Sequence, residues 1–152
     1  RRQRQMCIRD RTDFVGDEYK SFSGTAVYTT TINKVPVADV INLDLGSVAE
    51  NASVYLNGDY IGTVIDSPYQ LYIPAEKFKG QDELVVRVAN SMANRIAYMD
   101  KKGVDWKIFY NVNMSARKKE NVKNGIFDAS DWEPKSSGLL GPVTLTPAMV
   151  KQ

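Results

Sequence analysis

Five of the carboxylates in the second half of the chain, Asp100, Asp105, Asp128, Asp131 and Glu133, fall in loop-rich sequence, and paired carboxylates are the groups that do acid and base work on a glycosidic bond. That chemistry needs two of them facing one sugar, about 5 to 5.5 Å apart where configuration is retained and about 6.5 to 9.5 Å where it is inverted. These five sit in loop-like sequence, where acidic side chains are ordinary solvated groups, and no spacing singles out a pair. A complete active site on this chain is therefore not expected, and no catalytic residue is assigned. An autonomous glycosidase using these loop carboxylates stays open as the weakest reading. Other reaction classes close sooner. There is no histidine and only one cysteine, Cys7, which removes Cys–His and Ser–His–Asp nucleophile systems and zinc sites of the usual ligand types.

Binding chemistry has better candidates. Trp132 lies in "FDASDWEPKSSG" between Asp131 and Glu133 and belongs to no apolar period, so a rim position, touching a ligand or a neighbouring domain, is expected. Asn94 and Arg95 follow a strand in "ANSMANRI", where an arginine suits bidentate contact with a carboxylate. The alternative for Arg95 is a salt bridge to Asp100 or Asp105. Trp106 and Tyr110 alternate with Ile108 and Val112, which favours packing into a core. Asp13, Asp17, Asp39 and Asp44 are oxygen donors suited to a structural calcium, but none has diagnostic spacing. The metal assignment stays unknown, and no other cofactor is expected.

The first eleven residues, "RRQRQMCIRDR", distort the composition. They hold five arginines and one aspartate, which leaves 15 basic against 17 acidic residues in the other 141, a net charge of −2 where the full chain has +2. Without them the case for a nucleic-acid partner falls away. They show no apolar run of signal-peptide type, and "QMCIRD" resembles a translated transposon-end sequencing adapter. The expectation is that residues 1–11 are an artefact that contributes nothing to the fold, that 12–20 are a linker or the remnant of an upstream domain, and that 149–152 are a tail. On this reading the gene is a metagenomic fragment truncated at its start. No run of 18 apolar residues occurs, so no membrane span is expected.

Residues 21–148 must position the candidate groups, and their pattern has period two. "GTAVYTTTI" puts Ala26, Tyr28, Thr30 and Ile32 on one side, and "VINLDLG" does the same for Ile41, Leu43 and Leu45, the alternation of half-buried strands. "ASVYLNGDYIGTVI" reads as a hairpin turning at Asn57-Gly58, residues that tolerate positive φ. "YQLYIP" ends at Pro74, "ELVVRVAN" is apolar enough for a central strand, "VDWKIFYNVNM" alternates again, and "GPVTLTP" makes a last strand. The turn "PAEKF" suits one helical turn, and the leucines of "GLLGP" are expected to return to the core. Eight or nine short strands with Gly, Pro and Asn turns predict a two-sheet β-sandwich. Residues 90–103 and 115–138 read as long loops without periodicity.

The ordered set "FSGTAVY", "VYLNGDYIG", "LVVRVANSMANRI" and "SSGLLGPVTL" resembles the galactose-binding-like β-sandwich of glycoside hydrolases, in particular the sugar-binding domain of family 2 and the C-terminal sandwich of bacterial α-L-rhamnosidase-type enzymes. The resemblance implies an all-β, jelly-roll β-sandwich of galactose-binding-domain-like type. It further implies a non-catalytic carbohydrate-binding or ancillary role, with Trp132, Asn94, Arg95, Asp131 and Glu133 as the sugar-binding candidates. Catalysis would then belong to an upstream barrel domain of the same chain, and the location would be periplasmic or extracellular. A purely structural domain that packs on that barrel and binds no sugar is the alternative. The expected partners are carbohydrate and the upstream domain, with no nucleic acid and no membrane.

Overall fold

The computed structural model of the 152-residue chain describes residues 4–6, 20–108 and 118–148. In chain order its elements are β1 (Arg4–Met6), β2 (Thr25–Ile32), β3 (Val40–Asp44), β4 (Ser47–Val48), β5 (Asn51–Leu56), β6 (Asp59–Val64), β7 (Gln70–Pro74), β8 (Asp82–Ala89), α1 (Ala93–Lys101), β9 (Val122–Lys123), β10 (Ile126–Phe127), β11 (Leu139–Gly141) and β12 (Val143–Pro147). The stretch read from sequence as one domain divides into two compact units. One holds β1 to β8, β11 and β12. The other holds residues 20–23, 91–108 and 118–135, with α1, β9 and β10.

The first unit is the all-β sandwich that the alternation predicts. Two four-stranded sheets run β1-β12-β3-β7 and β2-β8-β5-β6, and a short β11-β4 pair accompanies them. Ladder pairings are antiparallel throughout. Because side chains on a strand alternate between faces, one sheet turns Ile41, Leu43, Ile73, Val143 and Leu145 inward and the other Ile32, Ala52, Val54, Leu56, Val64, Leu84, Val86 and Val88, and these form a single core. Burying each large aliphatic side chain contributes roughly 1.5 to 3 kcal/mol, so this face-to-face burial dominates the stability of the unit. Strand β8 is central, as its apolar run predicts, and Leu139 of the "GLLGP" turn is fully buried.

Arg4–Met6, inside the stretch expected to stay outside the fold, pairs as an edge strand along β12, Arg4 opposite Leu145 and Met6 opposite Val143. Backbone pairing needs no particular sequence, and it covers the open N–H and C=O groups of β12. The rest of 1–11 lies outside the described residues, as do 12–19 and 149–152.

Three of the four motifs that carry the family resemblance meet at one side chain. Asn90 Oδ1 accepts from the Gly24 N–H at 2.9 Å, and Asn90 Nδ2 donates to Ser137 Oγ at 2.8 Å. The fourth motif is the β5–β6 hairpin. Its turn residues have φ of +53° at Asn57 and +87° at Gly58, the left-handed pair that a two-residue hairpin demands.

Asn57 does more than turn. Its Nδ2 donates to Asp82 Oδ1 at 2.7 Å, and its Oδ1 accepts from the Glu83 N–H at 3.0 Å. Asp82, 1% exposed, also accepts from the Lys79 and Gly80 N–H groups at 2.8 and 3.0 Å. Burial by itself would raise the carboxyl's pKa. The hydrogen bonds from Asn57, Lys79 and Gly80 outweigh it and hold the group below the ordinary range.

A depressed native pKa adds stability above the unfolded value, about 3.9, and that stability is lost as pH falls through the native one. Asp82→Asn is therefore expected to destabilise the protein by about 1 to 2 kcal/mol at pH 7, with the gap closing toward pH 2.5. Urea unfolding followed by far-UV circular dichroism at both pH values checks this. A gap independent of pH would contradict it.

Candidate functional site

The second unit holds together differently. Among its described residues the fully covered positions are Ser21, Asn94, Asn121 and Ala129, three of them polar. Buried polar groups require partners, and here the partners define the shape. Asn94 Nδ2 donates to the Lys135 carbonyl and Asn94 Oδ1 accepts from the Lys135 N–H, both at 2.8 Å. This reciprocal clamp ties the start of α1 to the end of the Trp132 loop.

Helix α1 corrects the expectation of a structureless stretch at 90–103. Its end is a Schellman motif: the Val104 N–H bonds the Met99 carbonyl at 2.9 Å, the Gly103 N–H bonds the Asp100 carbonyl at 3.1 Å, and Gly103 adopts φ of +67°. The residues it turns toward one cleft are Asn94, Ala97, Tyr98 and Lys101, which follow helical spacing but make a mostly polar stripe. An apolar period exists on another face, Met92, Ile96 and Met99 at i, i+4 and i+7, but it spans only two turns.

Asp100, in the last turn, is the hub. Its side chain is 1% exposed. Oδ1 accepts from Trp106 Nε1 at 2.7 Å and Lys107 Nζ at 2.6 Å, and Oδ2 accepts from the Ala129 N–H at 2.8 Å. One carboxylate thus fastens the helix to the segment after it and to the loop that carries Trp132. Trp106 is consequently not the core residue of an alternating strand. It is half-buried with its indole N–H on a carboxylate, residues 104–107 form no strand, and Ile108 is 83% exposed. Tyr110 and Val112 lie outside the described residues.

The Trp132 loop is braced on its other side by β9 and β10, a hairpin whose turn residues Asn124 and Gly125 have φ of +52° and +77°. Lys123 Nζ reaches Ser130 Oγ at 2.6 Å, Asp131 at 3.0 Å and Asp128 at 3.3 Å. The Asp131 hydrogen bond is the main reason that Lys123 titrates above its ordinary range. Asp128 lies below its own range, chiefly because the Ser130 hydroxyl donates to it. Trp132 Nε1 donates to Asn121 Oδ1 at 3.0 Å, and its ring meets Phe127 edge-on at 5.8 Å.

These contacts fix a cleft of about 610 Å³. Trp132, Asn94, Asp131 and Glu133 line it together with Tyr98, Lys101, Lys102 and Lys20. Arg95 does not join them. It lines a separate concavity with Phe22 and Met92, its guanidinium 5.8 Å from the centre of the Tyr98 ring, because adjacent helix positions diverge by about 100°. The ion pair weighed for Arg95 with Asp100 is made by Lys107 instead. Tyr98, Lys20, Lys101 and Lys102 were missed; reading 93–101 as a helix would have put Tyr98 and Lys101 on the Asn94 face.

Of the five loop carboxylates, Asp100 is occupied by three donors, and Asp128 and Asp131 are held by Lys123. Asp131 is 74% exposed. This arrangement braces a loop. Asp44, a calcium candidate, accepts from the Gly46 N–H and from Gln70 Nε2, and Asp13 and Asp17 lie outside the described residues. Among the described residues no three acidic, His or Cys side chains gather to hold a metal, and no helix is long and apolar enough to cross a membrane.

Known proteins give this geometry its context. The chain is 35% identical over 141 residues to a candidate beta-glucuronidase from Formosa agariphila, covering 83% of this chain and 12% of that protein. Its structure matches the rhamnosidase from Novosphingobium sp. PP1Y with a TM-score of 0.66 and 28% identity, over 90% of this chain and 12% of that one. A GH2 beta-galacturonidase from Eisenbergiella tayi matches with a TM-score of 0.47 and 18% identity, over 84% of this chain and 17% of that one, too remote to carry an argument. No protein-family profile matches. The fold is thus the β-sandwich that the galactose-binding-like resemblance implies, and the rhamnosidase it matches is a glycoside hydrolase. The chain spans only 12% of the length of the first two relatives and is similar to a domain-sized part of them.

The hub makes a testable claim. Asp100→Ala strands Lys107, the Trp106 indole N–H and the Ala129 N–H together, and is expected to cost about 2 to 4 kcal/mol. Both tryptophans of the chain lie in the second unit, so tryptophan-selective fluorescence during urea unfolding reads that unit. A variant transition that overlays the wild-type one would show that the hub is dispensable.

Proposed function

We propose that the chain is a non-catalytic carbohydrate-binding domain of a larger bacterial glycoside hydrolase, and that the Trp132 cleft is its saccharide site. One observation carries this reading: Trp132 and Tyr98 line a single cleft whose loop is braced by polar contacts. A pyranose ring presents C–H patches that pack on aromatic faces and hydroxyls that need fixed polar partners. The cleft offers both, with Ser130, Lys101, Lys102 and Glu133 around the rings. Its volume falls in the range typical of small-molecule sites, about 300 to 1,000 Å³. Anchoring of the indole by Asn121 and Phe127 lowers the ordering cost of binding.

Similarity to 12% of much longer glycoside hydrolases supports the idea that the chemistry resides in another domain of the parent chain, which this domain serves by holding polysaccharide near it. Action on a polymer too large to enter a cell also favours a periplasmic or extracellular location. The purely structural alternative has its own support. Val27 and Tyr60 are 59% and 60% exposed on the outer face of the β2-β8-β5-β6 sheet, beside the Tyr55 ring that carries the Arg87 guanidinium at 4.8 Å, a surface suited to covering by a neighbouring domain. An autonomous glycosidase finds little support, since Asp100, Asp128 and Asp131 are engaged in bracing and Glu133 by itself makes no pair of carboxylates.

Calorimetric titration with a panel of plant and algal oligosaccharides separates the readings. Trp132→Ala is expected to weaken binding about thirtyfold, the loss of about 2 kcal/mol typical of a stacking anchor. Because Trp132 also bonds Asn121, Tyr98→Ala serves as the second variant, with an expected loss of about fivefold or more. If wild type binds nothing, or if both variants bind like wild type, the saccharide role is lost and domain packing gains.

A further inference from the structure

We infer that the saccharide taken by the cleft is anionic, carrying a carboxylate or a sulfate group; this rests on the saccharide reading above. Three ammonium groups, Lys20, Lys101 and Lys102, line the cleft. Among the described residues no carboxylate lies within ion-pair distance of any of them, whereas Lys107 and Lys123 are matched to Asp100 and to Asp128 and Asp131. Of the two acidic residues on the wall, Asp131 shares Lys123 with Asp128, and Glu133 makes no ion pair among the described residues. The lining therefore sets three ammonium groups against two carboxylates, an excess of one positive charge, and none of the three is held in an ion pair among the described residues.

Helix position explains part of this, since lysines at the end of α1 suit the negative end of the helix dipole. It does not explain Lys20, which comes from a segment remote in sequence and lines the same cleft. Lys102, four residues after Tyr98 and so its neighbour on the helix surface, stands 5.7 Å from the centre of that ring, one of the two aromatic side chains that line the cleft. A sugar ring on Tyr98 or Trp132 would bring an acidic substituent within reach of Lys101 and Lys102, and ammonium groups hold carboxylate and sulfate oxygens through charge-assisted hydrogen bonds. The excess charge makes the acidic group the feature that selects the ligand.

Isothermal titration tests this with four probes: a galacturonate trisaccharide, a glucuronate-containing disaccharide, a sulfated galactose disaccharide, and the carboxyl-reduced neutral form of the first. Charged probes are expected to bind at least about tenfold more tightly than the neutral one, with the preference shrinking as salt rises from about 0.05 to 0.5 M. Uronate-only and sulfate-only binding both support the inference and name the acidic group. The double variant Lys101→Gln/Lys102→Gln should lose the preference for charged over neutral probes, while Lys101→Arg/Lys102→Arg should retain it; a preference that survives the glutamine substitutions would overturn the inference. Equal binding of neutral and charged probes by wild type would overturn the charge inference and leave the saccharide reading standing. Binding of no probe would overturn both.

Discussion

A carboxylate that has left water needs as many donors as it can find, and Asp100 finds three, from Trp106, Lys107 and the backbone of Ala129. Everything proposed for the cleft depends on that satisfaction. Few apolar side chains among the described residues of this unit are covered, so its geometry is set by hydrogen bonds that each tolerate little displacement. Asp100 joins α1 to the base of the Trp132 loop, Asn94 joins α1 to the loop's end at Lys135, and Lys123 draws Asp128, Ser130 and Asp131 together. The result is a loop that presents an aromatic ring in a defined pose, which is what a weak, hydroxyl-rich ligand requires if ordering costs are not to consume its binding energy.

The sandwich unit follows other physics. Its strands bury one face each against the opposite sheet, a non-directional drive that many sequences satisfy. Polar side chains tie the places where chain direction changes, at Asp82 beneath the hairpin turn and at Asn90 between three loop segments. This explains why the motifs resembling glycoside hydrolase sandwiches report on scaffold. They are the turn glycines, the Asn-Gly corner and the asparagine that ties strand ends, all in the first unit, whereas the cleft residues fall outside the motifs except for Asn94.

Legibility in the sequence divides along the same line. Period-two alternation exposed β2, β3 and β7 and the burial of Ile41 and Leu43, because a half-buried strand writes its environment into every second residue; the Asn-Gly turn exposed β5 and β6, and an apolar run exposed β8. Helix α1 escaped because its apolar stripe, Met92, Ile96 and Met99, is only two turns long, and its cleft face of Asn94, Ala97, Tyr98 and Lys101 is mostly polar. Trp106 misled for the opposite reason: its neighbours alternate, yet a buried acid six residues earlier captured its N–H. Trp132 stood out because no packing pattern claimed it, and the structure lines a cleft with it. Arg95 shared a sequence neighbourhood with Asn94, but one helix step turned it into a different concavity.

The two indole N–H groups provide the most direct test of the account. Trp132 Nε1–H is tied to Asn121 at the proposed saccharide site, and Trp106 Nε1–H is tied to the buried hub. Each gives its own cross-peak in a ¹H–¹⁵N correlation spectrum, assignable from Trp132→Phe and Trp106→Phe. Titrating charged and neutral oligosaccharides should move the Trp132 indole peak along a saturable curve and leave the Trp106 peak in place. Movement of the Trp106 peak alone, or of neither peak across the whole series, would contradict the placement of a saccharide in this cleft.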